Sequence, residues 1–272
     1  MSKRSKLKIL IGVFGIVIAS VFLLADFLQH KYVVPIIMYH SINPRSNPAM
    51  NRLIVSPQTF ERQMRFLKTH HYNVLPLEAA AKLIRDKKKM PPKTVVVTFD
   101  DGYKDNYIYA FPVLKKYNLP AKMFIIVNEV GRPQSDRLSW DEIKAMQKSG
   151  IITFGSHTIG PEPLVNIKSK EKARRQIFNS KKILEEKLGR KVNAFSYPEG
   201  MFDAKIRQLV IEAGYIAAVA TNPGKRYPDD DVFALKRVRI SENASNMFIF
   251  AIETSGFYTF IKEQCKSRHE KK

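Results

Sequence analysis

The segment Thr94-Val95-Val96-Val97-Thr98-Phe99-Asp100-Asp101-Gly102-Tyr103 joins a run of mostly β-branched residues to two adjacent carboxylates and a glycine. The β-branched run predicts a buried strand, and the glycine permits a sharp turn at its end. At a strand end both carboxylates can reach one cavity, where one can bind a metal ion while the other accepts a proton from water. Since Asp-Gly is also common in ordinary turns, the rest of the chain has to distinguish these interpretations.

The composition favours one large domain. The chain has 272 residues, of which 44% are hydrophobic, and its single cysteine, Cys265, excludes an intramolecular disulfide and a CxxC metal site. The formal net charge is +21, but the basic residues are spread along the whole chain. We therefore expect anionic envelope polymers or lipid head groups as partners, and no nucleic acid.

The N-terminus carries an uncharged run. Residues 9–25 contain no charged side chain and follow a basic flank that has no acidic residue. As a helix, the run would be about 26 Å long, close to the ~30 Å hydrocarbon core of a bilayer. It is either a signal peptide or an anchor, and the lack of a convincing A-x-A site favours an uncleaved transmembrane helix. The chain from about Lys31 onward is then expected outside the cytoplasm, with secretion after cleavage as the alternative.

Beyond this run, short apolar segments alternate with amphipathic helical patterns, which is typical of βα units with parallel strands. The strand candidates are residues 35–39, 72–75, 94–99, 121–127, 151–155, 193–196 and 216–221. About seven parallel strands with intervening helices favour a closed α/β barrel over an open sheet. The predicted domains are a flank and anchor at 1–30, the barrel at 31–260 and a basic tail at 261–272.

Two helix starts carry clear capping signals. Ser56-Pro57 predicts an N-cap and first turn for a helix with Phe60, Met64 and Leu67 on one face. Ser139-Trp140-Asp141-Glu142 fits a capping box ahead of a second helix.

Polar residues follow four of the predicted strands. The segments are Tyr39-His40-Ser41, Asp100-Asp101-Gly102, Ser156-His157-Thr158 and Tyr197-Pro198-Glu199-Gly200. One histidine after a strand is more often structural than catalytic. Two histidines and two carboxylates at equivalent strand ends, together with a Pro-Glu-Gly loop, indicate a shared active site.

At these residues the chain resembles the polysaccharide deacetylases, the NodB-homology or carbohydrate esterase family four enzymes. It is most similar to the exported branch that acts on poly-β-1,6-N-acetylglucosamine, over roughly residues 34–240. The matching segments are Pro35-Ile36-Ile37-Met38-Tyr39-His40-Ser41-Ile42, Thr98-Phe99-Asp100-Asp101-Gly102-Tyr103, Gly155-Ser156-His157-Thr158, Phe195-Ser196-Tyr197-Pro198-Glu199-Gly200 and Leu235-Lys236-Arg237-Val238.

The resemblance implies a deformed (β/α) barrel that holds one divalent metal, commonly zinc, at its strand ends. It implies Asp101 and His157 as metal ligands and Asp100 as the general base. It further implies that His40 protonates the departing amine and that Arg237 holds the carboxylate of the base.

The resemblance also implies that the segment at 195–200 binds substrate through Tyr197, Pro198 and Glu199. In this reading a backbone N–H at Glu199 stabilises the oxyanion that forms at the N-acetyl carbonyl. Glu199 occupies a position that the family usually gives to tyrosine, but a backbone donor survives that replacement.

The segment that begins at Gly155 departs from the family pattern. His157-Thr158-Ile159-Gly160-Pro161 has a proline where the family has a second metal-binding histidine. A catalytic zinc usually has three protein ligands. Glu162, Glu199 or water could supply the missing one.

The predicted function is therefore metal-dependent hydrolysis of N-acetyl groups in an envelope or extracellular polysaccharide that contains N-acetylglucosamine. The intact base, acid, aspartate ligand and first histidine support it. The alternative is a catalytically weak or inactive relative that binds polysaccharide at the membrane, and Pro161 supports that alternative.

Overall fold

The computed structural model describes residues 32–44, 52–133, 136–221 and 230–259, and five further positions. These are Phe14, Ile18, Ser20, Leu23 and Lys262. The chain divides into two units, Met1–Val33 and Val34–Lys272. Most of the predicted anchor at 9–25 and of the tail at 261–272 lies outside the described residues. Among the described residues, no helix has both the length and the apolar character needed to span a membrane.

A closed barrel of seven parallel strands forms the centre of the second unit. In the described chain the strands are β1 (Ile36–Tyr39), β2 (Ser41–Ile42), β3 (Ile54–Val55), β4 (Asn73–Val74), β5 (Thr94–Phe99), β6 (Ala121–Ile125), β7 (Ile152–Ser156), β8 (Ala194–Ser196), β9 (Ala217–Ala220) and β10 (Leu235–Arg239). The ring runs β1-β5-β6-β7-β8-β9-β10 and closes where β10 pairs with β1. The predicted parallel α/β barrel is confirmed.

One predicted strand lies outside the ring. The segment predicted at 72–75 is the short strand β4, which pairs only with the start of β5. The seventh strand of the ring is β10, and its Arg237 stands opposite Ile36 of β1. The sequence analysis recognised this segment only as a late family element, since Leu-Lys-Arg-Val-Arg has three cations in five residues and does not look like a buried strand.

Helices connect the strands. They are α1 (Pro57–Thr69), α2 (Leu77–Arg85), α3 (Phe111–Tyr117), α4 (Trp140–Lys148), α5 (Lys170–Leu188), α6 (Ala204–Glu212) and α7 (Met247–Glu253) in the described chain. Both predicted caps are confirmed. The hydroxyl of Ser56 accepts the N–H of Thr59 at 3.3 Å, and Ser139 and Glu142 form a reciprocal capping box. These contacts satisfy N–H groups that a helix start leaves without partners.

Strand alternation separates the helix-facing core from the barrel interior. Tyr39 and Phe99 face outward and pack against Phe60 of α1, with ring centroids 5.1 and 5.8 Å from the Phe60 ring. In the interior, a Cβ on Gly155 would lie 2.6 Å from the ring of Phe124, so glycine leaves the space that this ring fills. The next inward-facing residue of each strand reaches the carboxyl end of the barrel.

Candidate active site

A cleft of about 450 Å³ opens at the carboxyl end of the barrel, and all seven barrel strands contribute to it. In ring order, the contributing residues are His40, Asp100, Ile126, His157, Pro198, Thr221 and Arg239, and Asp101, Pro161 and Glu199 also line the cleft. Each of the seven lies at or just beyond the end of its strand, where an inward-facing position opens to solvent. The fold therefore gathers the predicted polar strand ends into one site.

Asp100 is buried and held by a bidentate ion pair. Arg237 donates from Nη1 to Oδ1 at 2.7 Å and from Nη2 to Oδ2 at 2.6 Å. Ser196 bridges the same pair, since its Oγ accepts from Arg237 at 2.9 Å and donates to Asp100 at 3.3 Å. Burial raises the pKa of Asp100, but Arg237 and then His157 outweigh burial and leave this pKa well below its ordinary value. Asp100 is thus ionised at neutral pH, which is the state that a proton acceptor needs.

Asp101 and His157 face each other across the cleft floor. Oδ1 of Asp101 lies 3.5 Å from Nε2 of His157. Nδ1 of His157 is 2.8 Å from the carbonyl oxygen of Ser196. A carbonyl oxygen can only accept, so Nδ1 donates to it, and Nε2 is left facing Asp101. A metal-binding histidine is commonly oriented by such a bond.

The Asp101 carboxylate and the His157 imidazole, called the donor pair below, fit two ligand positions of a divalent metal site. A carboxylate and a neutral imidazole are both zinc ligands, and their facing atoms are close enough to share one ion. Within the described residues, no third His, Cys, Asp or Glu completes a metal-binding group. The second oxygen of Asp100 lies 3.9 Å from Nε2 of His157 but is bound to Arg237.

The loop that carries Pro161 is tied down on both sides. The N–H groups of Ile159 and Gly160 both donate to Oε1 of Gln176, at 3.1 and 3.0 Å. The carbonyl of Ile159 also accepts the N–H of Asn128 at 2.9 Å. Glu162 is exposed and does not line the cleft. These bonds oppose the loop movement that Glu162 would need to reach the donor pair.

His40 lies at the end of β1 and is half-buried. Its Nδ1 is buried and has no hydrogen-bond partner in the described chain. Burial lowers the pKa of His40 from its ordinary 6.5, and the carboxylates of Asp100 and Asp101 partly oppose this shift. His40 is therefore neutral at pH 7 unless a reaction in the cleft makes the charged form favourable.

The segment after β8 only partly matches the substrate-binding prediction. Pro198 and Glu199 line the cleft. Tyr197 does not, because its side chain is fully buried, stacks on Phe202 at 4.2 Å and donates its hydroxyl to the carbonyl of Phe233 at 3.0 Å. Strand alternation explains this placement, since inward-facing Ser196 makes Tyr197 face outward.

The Glu199–Gly200 turn has a strained backbone. Glu199 has φ 55° and Gly200 has φ 72°. A Cβ on Gly200 would lie 2.4 Å from the backbone N of Thr221, so the close approach of these two segments requires glycine. The N–H of Glu199 has no acceptor in the described chain.

The sequence analysis missed two residues of the site. Ser196 joins the Asp100–Arg237 pair, and Arg239 lines the cleft two residues after Arg237. Alternation could have found both, because Ser196 lies two positions before Pro198 and Arg239 two positions after Arg237.

Known proteins are similar to this chain in sequence and in fold. Residues 87–218 match the family model described as polysaccharide deacetylase. The chain is 34% identical over 212 residues to the Bacillus subtilis protein named "Putative polysaccharide deacetylase YxkH", a match that covers 78% of this chain and 73% of that protein. It is 27% identical over 212 residues to the poly-beta-1,6-N-acetyl-D-glucosamine N-deacetylase of Staphylococcus aureus, covering 73% of this chain and 72% of the relative.

A solved structure agrees with this relationship. The Streptococcus pyogenes deacetylase PplD, in complex with acetate, is similar with a TM-score of 0.71 and 28% sequence identity, over 80% of this chain and 97% of that chain. The chain therefore belongs to the polysaccharide deacetylase family, as its strand-end motifs predict.

Proposed function

We propose that this protein removes N-acetyl groups by hydrolysis from an envelope or extracellular polysaccharide that contains N-acetylglucosamine, with the help of one divalent metal. The observation that carries the proposal is the division between two adjacent carboxylates. Asp100 is bound by Arg237, while Asp101 faces His157. The names of the relatives support the substrate class, since the Staphylococcus aureus protein is a poly-β-1,6-N-acetylglucosamine deacetylase.

Asp101 and His157 would hold the metal, with zinc as our proposed ion. A divalent metal at this place polarises a carbonyl oxygen and lowers the pKa of water. Asp100 accepts the proton of the attacking water. Arg237 and Ser196 fix both of its oxygens, so the carboxylate cannot rotate away from the cleft.

The remaining groups act on the two ends of the amide. The N–H of Glu199 has no acceptor among the described residues and would donate to the oxygen of the tetrahedral intermediate. The proton that Asp100 has accepted passes through His40 to the nitrogen as the carbon–nitrogen bond breaks, so both residues return to their starting states. The products are acetate and a free amine, and acetate is the molecule found with the Streptococcus pyogenes relative.

A second candidate function follows from Pro161. Because the donor pair lacks a third protein ligand in the described chain, the affinity for a metal can be too low for turnover. The protein would then bind polysaccharide in the same cleft without cleaving it. This candidate keeps the cleft and the fold but predicts no acetate release.

Acetate release separates the two candidates. The purified full-length chain is incubated with N-acetylglucosamine oligomers, with added zinc or with a chelator, and free acetate is measured. We expect release with zinc and its loss with the chelator. Oligomer binding without acetate release at any zinc concentration would favour the non-catalytic candidate. The surface variant Glu186→Gln on α5 serves as control, because its side chain is 62% exposed.

We also propose that the protein is anchored in the membrane through residues 9–25, with the catalytic domain outside the cytoplasm. The uncharged run and its basic flank support this proposal. Cell fractionation tests it. A full-length chain that resists alkaline extraction and is accessible to external protease is expected, whereas a shortened chain in the medium would indicate cleavage and secretion.

A further inference from the structure

We propose that Arg239 forms an anion-binding subsite of the cleft, which recognises an oxyanionic substituent on the polymer next to the sugar that loses its acetyl group. This inference rests on the proposed deacetylase function and narrows its substrate class. A neutral N-acetylglucosamine polymer offers hydrogen-bond acceptors to such a group but no opposite charge.

The placement of Arg239 follows from β10. Arg237 and Arg239 lie two residues apart on one strand, so both side chains point to the same face. Arg237 binds Asp100 inside the barrel, whereas Arg239 lies one layer further out, where it lines the cleft and is exposed. The strand thus presents one arginine to the catalytic carboxylate and the next to the cleft mouth.

The guanidinium of Arg239 brings a positive charge to the cleft. It makes no ion pair with any residue in the described part of the chain, including Glu199, which lines the same cleft. In the strand register Arg239 stands opposite Met38, whose sulfur accepts a bond from the Thr221 hydroxyl at 3.8 Å. The nearest strand neighbours therefore offer a thioether and a hydroxyl rather than a carboxylate.

Two of the three carboxylates that line the cleft already have partners. Asp100 is bound by Arg237, and Asp101 faces His157. An arginine that is left without a partner beside such a site suits a ligand oxyanion, because its planar fork of N–H donors matches a carboxylate or a phosphate with two parallel bonds. The ligand class is a polymer of acetamido sugars that carries carboxylates on neighbouring sugars or phosphates between them.

Binding measurements test this subsite without requiring turnover. Three probes are titrated into the full-length protein in the presence of a chelator. These are neutral chitopentaose, an oligomer that alternates N-acetylglucosamine with carboxylate-bearing N-acetylmuramic acid, and an N-acetylglucosamine oligomer joined by phosphodiesters. We expect at least one anionic probe to bind roughly tenfold more tightly than chitopentaose, an advantage that shrinks as salt is added. The two anionic probes distinguish a carboxylate from a phosphate as the recognised group.

Variants assign the preference to the residue. Arg239→Gln should remove the advantage of the anionic probe and weaken that probe far more than chitopentaose, while Arg239→Lys should keep part of the advantage. Arg175→Gln on α5 is the matched control, since its side chain is 64% exposed. Equal affinity of the wild-type protein for all probes, or an equal loss on every probe in Arg239→Gln, would overturn the subsite.

The subsite and the deacetylase function can fail separately. An anion preference that disappears in Arg239→Gln, in a protein that releases no acetate, would support the subsite and reject the catalytic proposal. Acetate release without any anion preference would support the catalytic proposal and reject the subsite.

Discussion

Arg237 binds both oxygens of Asp100 inside the barrel, with N–O distances of 2.7 and 2.6 Å. Both side chains are almost fully buried. The pair joins β10, the last strand of the ring, to the end of β5, which carries the catalytic motif. One interaction therefore links two strands that are not neighbours, across the barrel interior, and keeps the proposed base ionised.

Removal of the arginine alone should be strongly destabilising. Arg237→Met leaves a buried, unpaired carboxylate, and we expect it to lower the free energy of unfolding by about 3–5 kcal/mol, measured by urea denaturation. The double variant Asp100→Asn/Arg237→Met should recover most of this loss, because it removes the uncompensated charge. Equal destabilisation of the single and double variants would show that Arg237 acts through packing and not through its charge.

Replacement of Pro161 by histidine should create the ligand that the donor pair lacks. Pro161 lines the cleft beside Asp101 and His157, and its loop is held by Gln176. We expect Pro161→His to tighten zinc binding by about tenfold or more, measured by calorimetric titration with zinc.

Glu162→His is the matched control for that change, because it places a histidine one residue further on, outside the cleft. Equal tightening in both variants would mean that any added histidine recruits zinc. Unchanged affinity in Pro161→His would mean that position 161 does not face the donor pair closely enough.

Glu253 should make the stability depend on pH. It ends α7, is buried, and its Oε2 has no hydrogen-bond partner in the described chain. Burial raises the pKa of Glu253 from 4.5 to about 7, against a smaller opposing effect of Lys262. The folded state keeps a proton that the unfolded chain releases, so stability falls as the pH rises from about 4.5 through 7.

Glu253→Gln removes this dependence. At pH 8 the variant should be more stable than the wild-type protein by up to about 3 kcal/mol, and at pH 5 the two should differ little. Urea unfolding at both pH values measures the difference, with Glu186→Gln as the exposed control. An identical pH profile for Glu253→Gln and the wild-type protein would contradict the buried ionisation.

The sequence predicted those parts of the site in which a chemically distinctive residue follows an apolar strand. Asp100, Asp101, His40 and His157 meet this condition, and the structure brings all four to one cleft. Strand β10 does not meet it, because its inward-facing Arg237 becomes tolerable only through Asp100 on a distant strand. A local pattern cannot reveal such a tertiary partner.

The direction of side chains near strand ends was the other weak point of the sequence reasoning. Tyr197 belongs to a motif at the site but faces outward into the core, and Ser196, which carries no catalytic signature, faces inward to Asp100. The exact end of a strand decides which of two neighbours enters the barrel. A shift of one residue in β8 exchanges the two.

The division of work between Asp100 and Asp101 is the central claim, and paired measurements of zinc binding and acetate release on Asp100→Asn and Asp101→Asn test it most directly. We expect Asp100→Asn to bind zinc like the wild-type protein but to release acetate at least about a hundredfold more slowly, because it has lost the proton acceptor. Asp101→Asn should lose zinc binding and activity together. Loss of zinc in Asp100→Asn, with zinc retained in Asp101→Asn, would contradict the account.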